Sequence, residues 1–134
     1  MTYVEQLGRN CWKDFHIWVQ WEIGEMNINR FIETICQHYP CVTCRRHFTD
    51  LIQNVHPCKG EPDQYLFYVH NLVNKSQGKK MYPIQVLEQY QTPQAKQYYE
   101  LYLKHVDWKE RLHHNHEQCL PFKLRLPKSR YQYK

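Results

Sequence analysis

From Tyr3 to Trp21 the residues Leu7, Cys11, Phe15 and Trp18 return every three or four positions, with Trp12 and His16 beside them. A strand would send such residues to alternate faces, whereas a helix stacks them on one. The same spacing recurs in Phe31, Ile32 and Ile35, and again in Phe48, Leu51, Ile52 and Val55, and no convincing period-two stretch appears. The expected fold class is all-α. Asn27 or Asn29 can cap the second helix, and Pro40 ends it by removing a backbone donor and restricting Tyr39. A third helix is expected from about 41 to 54, with "HPCKGEPD" as the loop that follows. A fourth is expected from 62 to 77, closed by Gly78, with shorter helical stretches at about 84–91 and 94–113.

At 134 residues, with only four glycines, the chain suits one compact domain. Eleven tyrosines and four tryptophans exceed what a small core needs, so they either pack together or wall a planar ligand. No charged-then-apolar leader and no apolar run of membrane-spanning length is visible, which gives the expectation of a soluble, cytoplasmic protein. Six cysteines in such a chain argue for metal or redox chemistry over a disulfide scaffold. The net charge of +5 comes from the tail, where Lys123, Arg125, Lys128, Arg130 and Lys134 stand without an acid. That tail is read as a solvated end rather than a nucleic-acid or membrane contact.

In "YPCVTCRRHF", residues 39–48, Cys41 and Cys44 lie three apart at a helix start. Helical spacing places them on one face, at a separation that a disulfide can bridge. Free amide donors, the helix dipole, and Arg45, Arg46 and His47 all favour a thiolate there. The same residues are also half of a possible zinc site, completed by Cys36, Cys58 or a histidine. A second motif, "YVHNLVNKSQGKK", places His70, Asn71 and Asn74 as a polar strip on an otherwise apolar helix, with Lys75, Lys79 and Lys80 near its end. Neutral hydrogen-bonding groups beside aromatics and terminal cations suit a dinucleotide with its phosphates; a surface strip capped by glycine is the alternative. "HHNHEQC" offers His113, His114, His116 and Cys119, but its spacing fits no metal site, and a solvated turn is the reading taken.

These pieces together resemble the Erv/ALR family of flavin-dependent sulfhydryl oxidases, in the family's order. "LGRNCWKDFH" is similar to the opening helix motif, "YPCVTCRRHF" to the redox-active pair, and "HNLVN" followed by "GK" to the flavin-binding helix, with Tyr82 at a frequent aromatic position. The likeness covers about residues 4–91. It implies a four-helix bundle holding FAD, a short fifth helix and a homodimer, with residues 1–92 as the oxidase domain and 93–134 as a helical extension and basic tail. It implies that Gly8, Arg9, Trp12, His16, Tyr39, His70, Asn71, Val73, Asn74, Lys75, Gly78, Lys79 and Tyr82 line the FAD site. By the same likeness Cys44 meets the flavin, and Cys41 meets the substrate from the exposed helix start. Thiol-containing proteins or a thioredoxin-like relay protein would be the electron donors, and dioxygen the acceptor, giving hydrogen peroxide.

Some departures stand out. The structural disulfide common after the flavin helix has no counterpart, since no cysteine lies between Cys58 and Cys119. Gln77 replaces the usual apolar residue before Gly78. Cys11 and Cys36 are expected to be buried small thiols, and Cys58 and Cys119 to be shuttle or cross-linking candidates. The missing bridge, the missing address and the small size together resemble a member from a large DNA virus, acting in host cytoplasm or the virion. The rival is a zinc-binding module using Cys41, Cys44 and His47, with the basic tail on nucleic acid.

Overall fold

The computed structural model describes residues 3–22, 28–39, 41–58 and 61–113, with side chains between Cys11 and Leu112. Four helices make the bundle: α1 (Tyr3–Trp21), α2 (Ile28–His38), α3 (Val42–Ile52) and α4 (Pro62–Ser76). A 3-10 helix (Ile84–Tyr90), then α5 (Pro93–Tyr98), a π-turn (Tyr99–Leu103) and α6 (Trp108–His113) follow. Every element among the described residues is helical, as the periodicity requires.

The apolar stripes meet as expected. Phe15 on α1 packs edge-on against Phe31 on α2, centroids 5.4 Å apart, and Trp12 packs against Phe48 on α3 at 6.1 Å. Trp108 on α6 closes this knot, 5.3 Å from Phe15 and 5.4 Å from Phe31. Edge-to-face aromatic pairs are each worth about 0.5–1.5 kcal/mol beyond the area that they bury. The knot therefore ties α6 to both α1 and α2.

Below this aromatic layer Asp14, 1% exposed, accepts a hydrogen bond from the Tyr98 hydroxyl at 2.9 Å and pairs with Arg111 at 3.1 Å. Tyr98, Leu103 and Leu112 share one core with Phe15, Ile35 and Leu66. The packing runs unbroken across the 92/93 boundary.

Several boundaries differ from those that the sequence suggests. Cys41 is not in the third helix but caps it, its Sγ accepting the Cys44 N–H at 3.2 Å. Asn29 lies inside α2, and its side-chain oxygen accepts from the Cys58 N–H at 2.9 Å, pinning the loop before α4. Asn27 falls outside the described residues. The stretch at 84–91 is 3-10 rather than α over Ile84–Tyr90, with Pro83 at its cap and Val86, Leu87 and Tyr90 buried. The expected helix at 94–113 is broken: the π-turn lets Tyr98, Tyr99 and Leu103 all be buried, and the chain turns again before α6. Gly78 does close α4, with φ of +70°.

Candidate functional site

The site begins with a turn that no helix can cross. α2 ends at His38 and α3 begins at Val42, with Pro40 between them in the sequence. Arg45 reaches back across this turn and donates from Nε to the Tyr39 carbonyl at 2.9 Å. Tyr39 is buried, which anchors the turn in the core. Cys41 and Cys44 are joined as a disulfide, with Cα atoms 5.2 Å apart. Both are half-buried, so the expected contrast between an exposed Cys41 and a deeper Cys44 is not seen in their accessibility. A disulfide offers no thiolate to a metal. Among the described residues no group of three or more His, Cys, Asp or Glu side chains could hold one.

One turn beyond Cys44, Phe48 leads into a ladder of rings. Phe48 meets Trp12, and Trp12 stacks on His70 at 4.0 Å and 6°. His70 Nδ1 lies 2.9 Å from His16 Nε2, and His16 stacks on Tyr90 at 5.1 Å and 7°. Burial drives both imidazoles toward the neutral form, His16 down to about 3 and His70 well below its usual value, with His16 and Lys79 adding to the latter. Two neutral rings facing through nitrogens share one hydrogen: one donates and the other accepts. Asn74, one turn on from His70, is 4% exposed and continues the polar strip. Burial also pushes the Tyr90 hydroxyl upward, keeping it protonated.

Asn71 departs from the expected strip. It donates from Nδ2 to the Tyr82 carbonyl at 2.8 Å and accepts the Tyr82 N–H at 3.0 Å. Both its polar groups are spent on holding the segment after Gly78 against α4. The reason is angular: residues 70 and 74 share a face, and 71 is turned by about 100° from it. Val73 and Tyr82 are half-buried, and Lys75, Gly78 and Lys79 are exposed at the end of α4. Gly8 and Arg9 belong to α1, but their side chains lie outside the described residues, as do Cys119 and the histidines after 113. Cys11 is buried as expected, whereas Cys36 is only half-buried and lines a groove of about 590 Å³ with Ile32, Thr49, Ile52 and Tyr65. Burial raises the Cys36 thiol above its usual value, so it is a poor nucleophile at neutral pH.

Three residues at or beside the site escape sequence reasoning. Tyr90 forms the end of the ring ladder. Gln20, one turn beyond His16, and Gln89, beside Tyr90, sit on packed elements, and Gln20 Oε1 and Gln89 Nε2 are buried without a hydrogen-bond partner in the structure. The faint signal is that Gln20 follows His16 by four positions in an apolar helix. An unsatisfied acceptor, an unsatisfied donor, flat aromatic walls and neutral ring nitrogens suit the edge of a heteroaromatic ligand. The residues present fit FAD. The 4.0 Å stack of Trp12 on His70 leaves no room for a further ring between them, so a planar group meets the ladder at its edges and outer faces.

The Erv1/Alr family profile matches residues 9–99, more than half of the chain. The chain belongs to the Erv1/Alr family. Among curated proteins it is 33% identical over 91 residues to the FAD-linked sulfhydryl oxidase ERV1 of Oryza sativa subsp. japonica, covering 60% of this chain and 46% of that one. It is 28% identical over 88 residues to the FAD-linked sulfhydryl oxidase ERV1 of Arabidopsis thaliana, covering 59% of this chain and 46% of that one. The chain thus spans about half the length of the curated relatives it matches. No solved structure matches it. The family match crosses the 3-10 helix and α5, so the ring ladder through Tyr90 lies inside it.

Proposed function

We propose that this member of the Erv1/Alr family is an FAD-linked thiol oxidase that makes disulfides in thiol-containing proteins. The carrying observation is the Cys41–Cys44 disulfide at the start of α3, one turn from a buried ladder of rings and neutral imidazoles. A substrate thiolate attacks Cys41 Sγ, the S–S bond breaks, and Cys44 leaves as thiolate. A second substrate thiolate then attacks the mixed disulfide, releasing Cys41 as thiolate and the substrate as disulfide. Two electrons have entered the protein, and two protons have been released from the substrate. FAD, when bound beside the pair, would supply the two-electron acceptor that this exchange requires, with dioxygen as the proposed final acceptor and hydrogen peroxide as its product.

The chain's own residues do the rest. The N-terminus of α3 and the Cys44 N–H stabilise sulfur anions at the pair. Trp12, His16, His70, Asn74 and Tyr90 bind the cofactor's rings and exclude water. Gln20 and Gln89 would offer its edge an acceptor and a donor, and the exposed Lys75 and Lys79 at the end of α4 would meet its phosphates. Asn71 and Tyr82 hold the wall that follows α4. Homodimerisation, a thioredoxin-like relay partner, action in the cytoplasm and a viral source are further proposals.

The test is the flavin-to-protein ratio of purified protein. Wild type should be yellow with near-stoichiometric FAD. Asn74→Ala should remain helical by circular dichroism yet keep less than about a tenth of it, and should gain less thermal stability from added FAD. Ligand at a hundredfold excess over its Kd adds about 2.7 kcal/mol to the native state. Colourless wild type carrying stoichiometric zinc, or full FAD occupancy in an Asn74→Ala, His70→Ala double variant, would overturn the reading.

A further inference from the structure

We infer that the end of the bundle around Cys41–Cys44 is a docking surface for acidic thiol substrates, whose reactive cysteines are flanked by carboxylates. This rests on the oxidase reading above, and deepens it by naming the substrate class.

Topology assembles the surface. Ile52 at the end of α3 and Val55 just after it share a groove with Tyr65 at the start of α4, so the two helices run antiparallel. Trp12 touches both Phe48 and His70, which fixes those two residues at one level. One turn from Phe48 toward the start of α3 is Cys44; one turn from His70 toward the end of α4 is Asn74. The disulfide and the end of α4 therefore share one end of the bundle.

That end is free of acid over long stretches. No Asp or Glu occurs from Thr34 to Thr49 or from Gln64 to Leu87, while Arg45, Arg46, Lys75, Lys79 and Lys80 do. Arg46, His47, Lys75, Lys79 and Lys80 are exposed, and no ion pair engages any of them among the described residues. Arg45 is held over the turn before Cys41 by its bond to the Tyr39 carbonyl. At the start of α1, Glu5 and Arg9 contribute one charge of each sign, with side chains outside the described residues. Lys75 and Lys79 face the cofactor's phosphates in the reading above, which leaves Arg45, Arg46 and Lys80 toward the substrate. Val42, between the two cysteines and 55% exposed, adds an apolar foothold four positions before Arg46. A substrate that pairs with this rim brings carboxylates beside its thiols and an aliphatic side chain to Val42. Cations around a reactive centre raise the encounter rate of an anionic partner by about ten- to a thousandfold, and salt removes the gain.

The test reads thiol–disulfide exchange itself, so that it stays informative even if turnover to dioxygen fails. Full-length protein is mixed anaerobically with dithiol peptides of identical sequence whose flanking residues are all Glu or all Lys, and with dithiothreitol. The rate of reduction of Cys41–Cys44 is measured at low and high salt. The acidic peptide should react at least tenfold faster than the basic one at about 20 mM salt, with the ratio falling toward one near 0.5 M. Arg46→Glu with Lys80→Glu should cut the low-salt ratio severalfold, whatever it does to the rate with neutral dithiothreitol. A ratio within twofold of one at low salt, a ratio insensitive to salt, or a ratio unmoved by the double variant would overturn the proposal. Failure to oxidise dithiothreitol with dioxygen, with the peptide ratio intact, would instead count against the oxidase reading alone.

Discussion

Asp14→Ala should lower the unfolding free energy by about 3–5 kcal/mol, the usual cost of leaving one member of a buried pair behind. Asp14 is 1% exposed, and its two oxygens serve the Tyr98 hydroxyl and Arg111, whose side chain is 15% exposed. Without the carboxylate, α5 loses its hydroxyl partner, and the half-buried Arg111 guanidinium loses its ion pair with Asp14. Burial and Asp14 together raise the Tyr98 hydroxyl, so it remains a donor throughout the accessible pH range. For a chain of this size the loss corresponds to a melting temperature lower by roughly 10 °C or more. Urea denaturation measures it directly, and an Asp14→Ala, Arg111→Ala double variant should lose less than the sum of the singles. A loss under about 1 kcal/mol would show that α6 is not locked by this pair.

Acid should destabilise the protein before its carboxylates titrate, through the His16–His70 pair. Both imidazoles are held neutral in the fold, His16 down to about 3 and His70 well below its ordinary value. The unfolded chain takes up protons near pH 6.5, where the native state does not, so it binds more protons below that pH and stability rises with pH. The stability is fully present above about 6.5 and is lost progressively as pH falls toward the folded values. His16 alone contributes a slope approaching about 1.4 kcal/mol per pH unit and so removes roughly 2 kcal/mol by pH 5, and His70 adds to the loss in the same direction. Denaturation at fixed flavin saturation between pH 7.5 and 5 measures this. His70→Asn should remove about half of the slope, and a flat profile in wild type would contradict a neutral buried pair.

The parts legible in the sequence are those set by local rules. The helical period places α1 at its observed bounds, Pro40 ends α2, and Gly78 ends α4, because each acts on its own backbone. The disulfide pair and the buried His70 and Asn74 were visible as spacing on a helix face. What was not legible depends on the partner across space. Asn71 reads as a ligand contact until Tyr82 is seen to use both of its polar groups. Asp14 looks like one more polar residue in α1, although it falls three positions after Cys11 on the apolar side, and its partners lie 84 and 97 residues away. The π-turn at Tyr99–Leu103 has no periodic signature, since its extra residue serves packing against α1 across the bundle.

The proposal that Cys41–Cys44 is the redox centre beside bound FAD is tested most directly by the visible spectrum of the two serine variants. Cys41→Ser leaves Cys44 as a lone thiol on the turn shared with Phe48, beside the ring ladder. It should show a long-wavelength absorption band from a thiolate lying against the flavin, fading on acidification as that sulfur takes up a proton. Cys44→Ser should keep its FAD and show no such band, and each variant should lose disulfide-forming turnover by roughly a thousandfold or more. A band in Cys44→Ser alone would reverse the two roles; no band in either variant, with oxidase turnover retained, would show that this pair is not the redox centre.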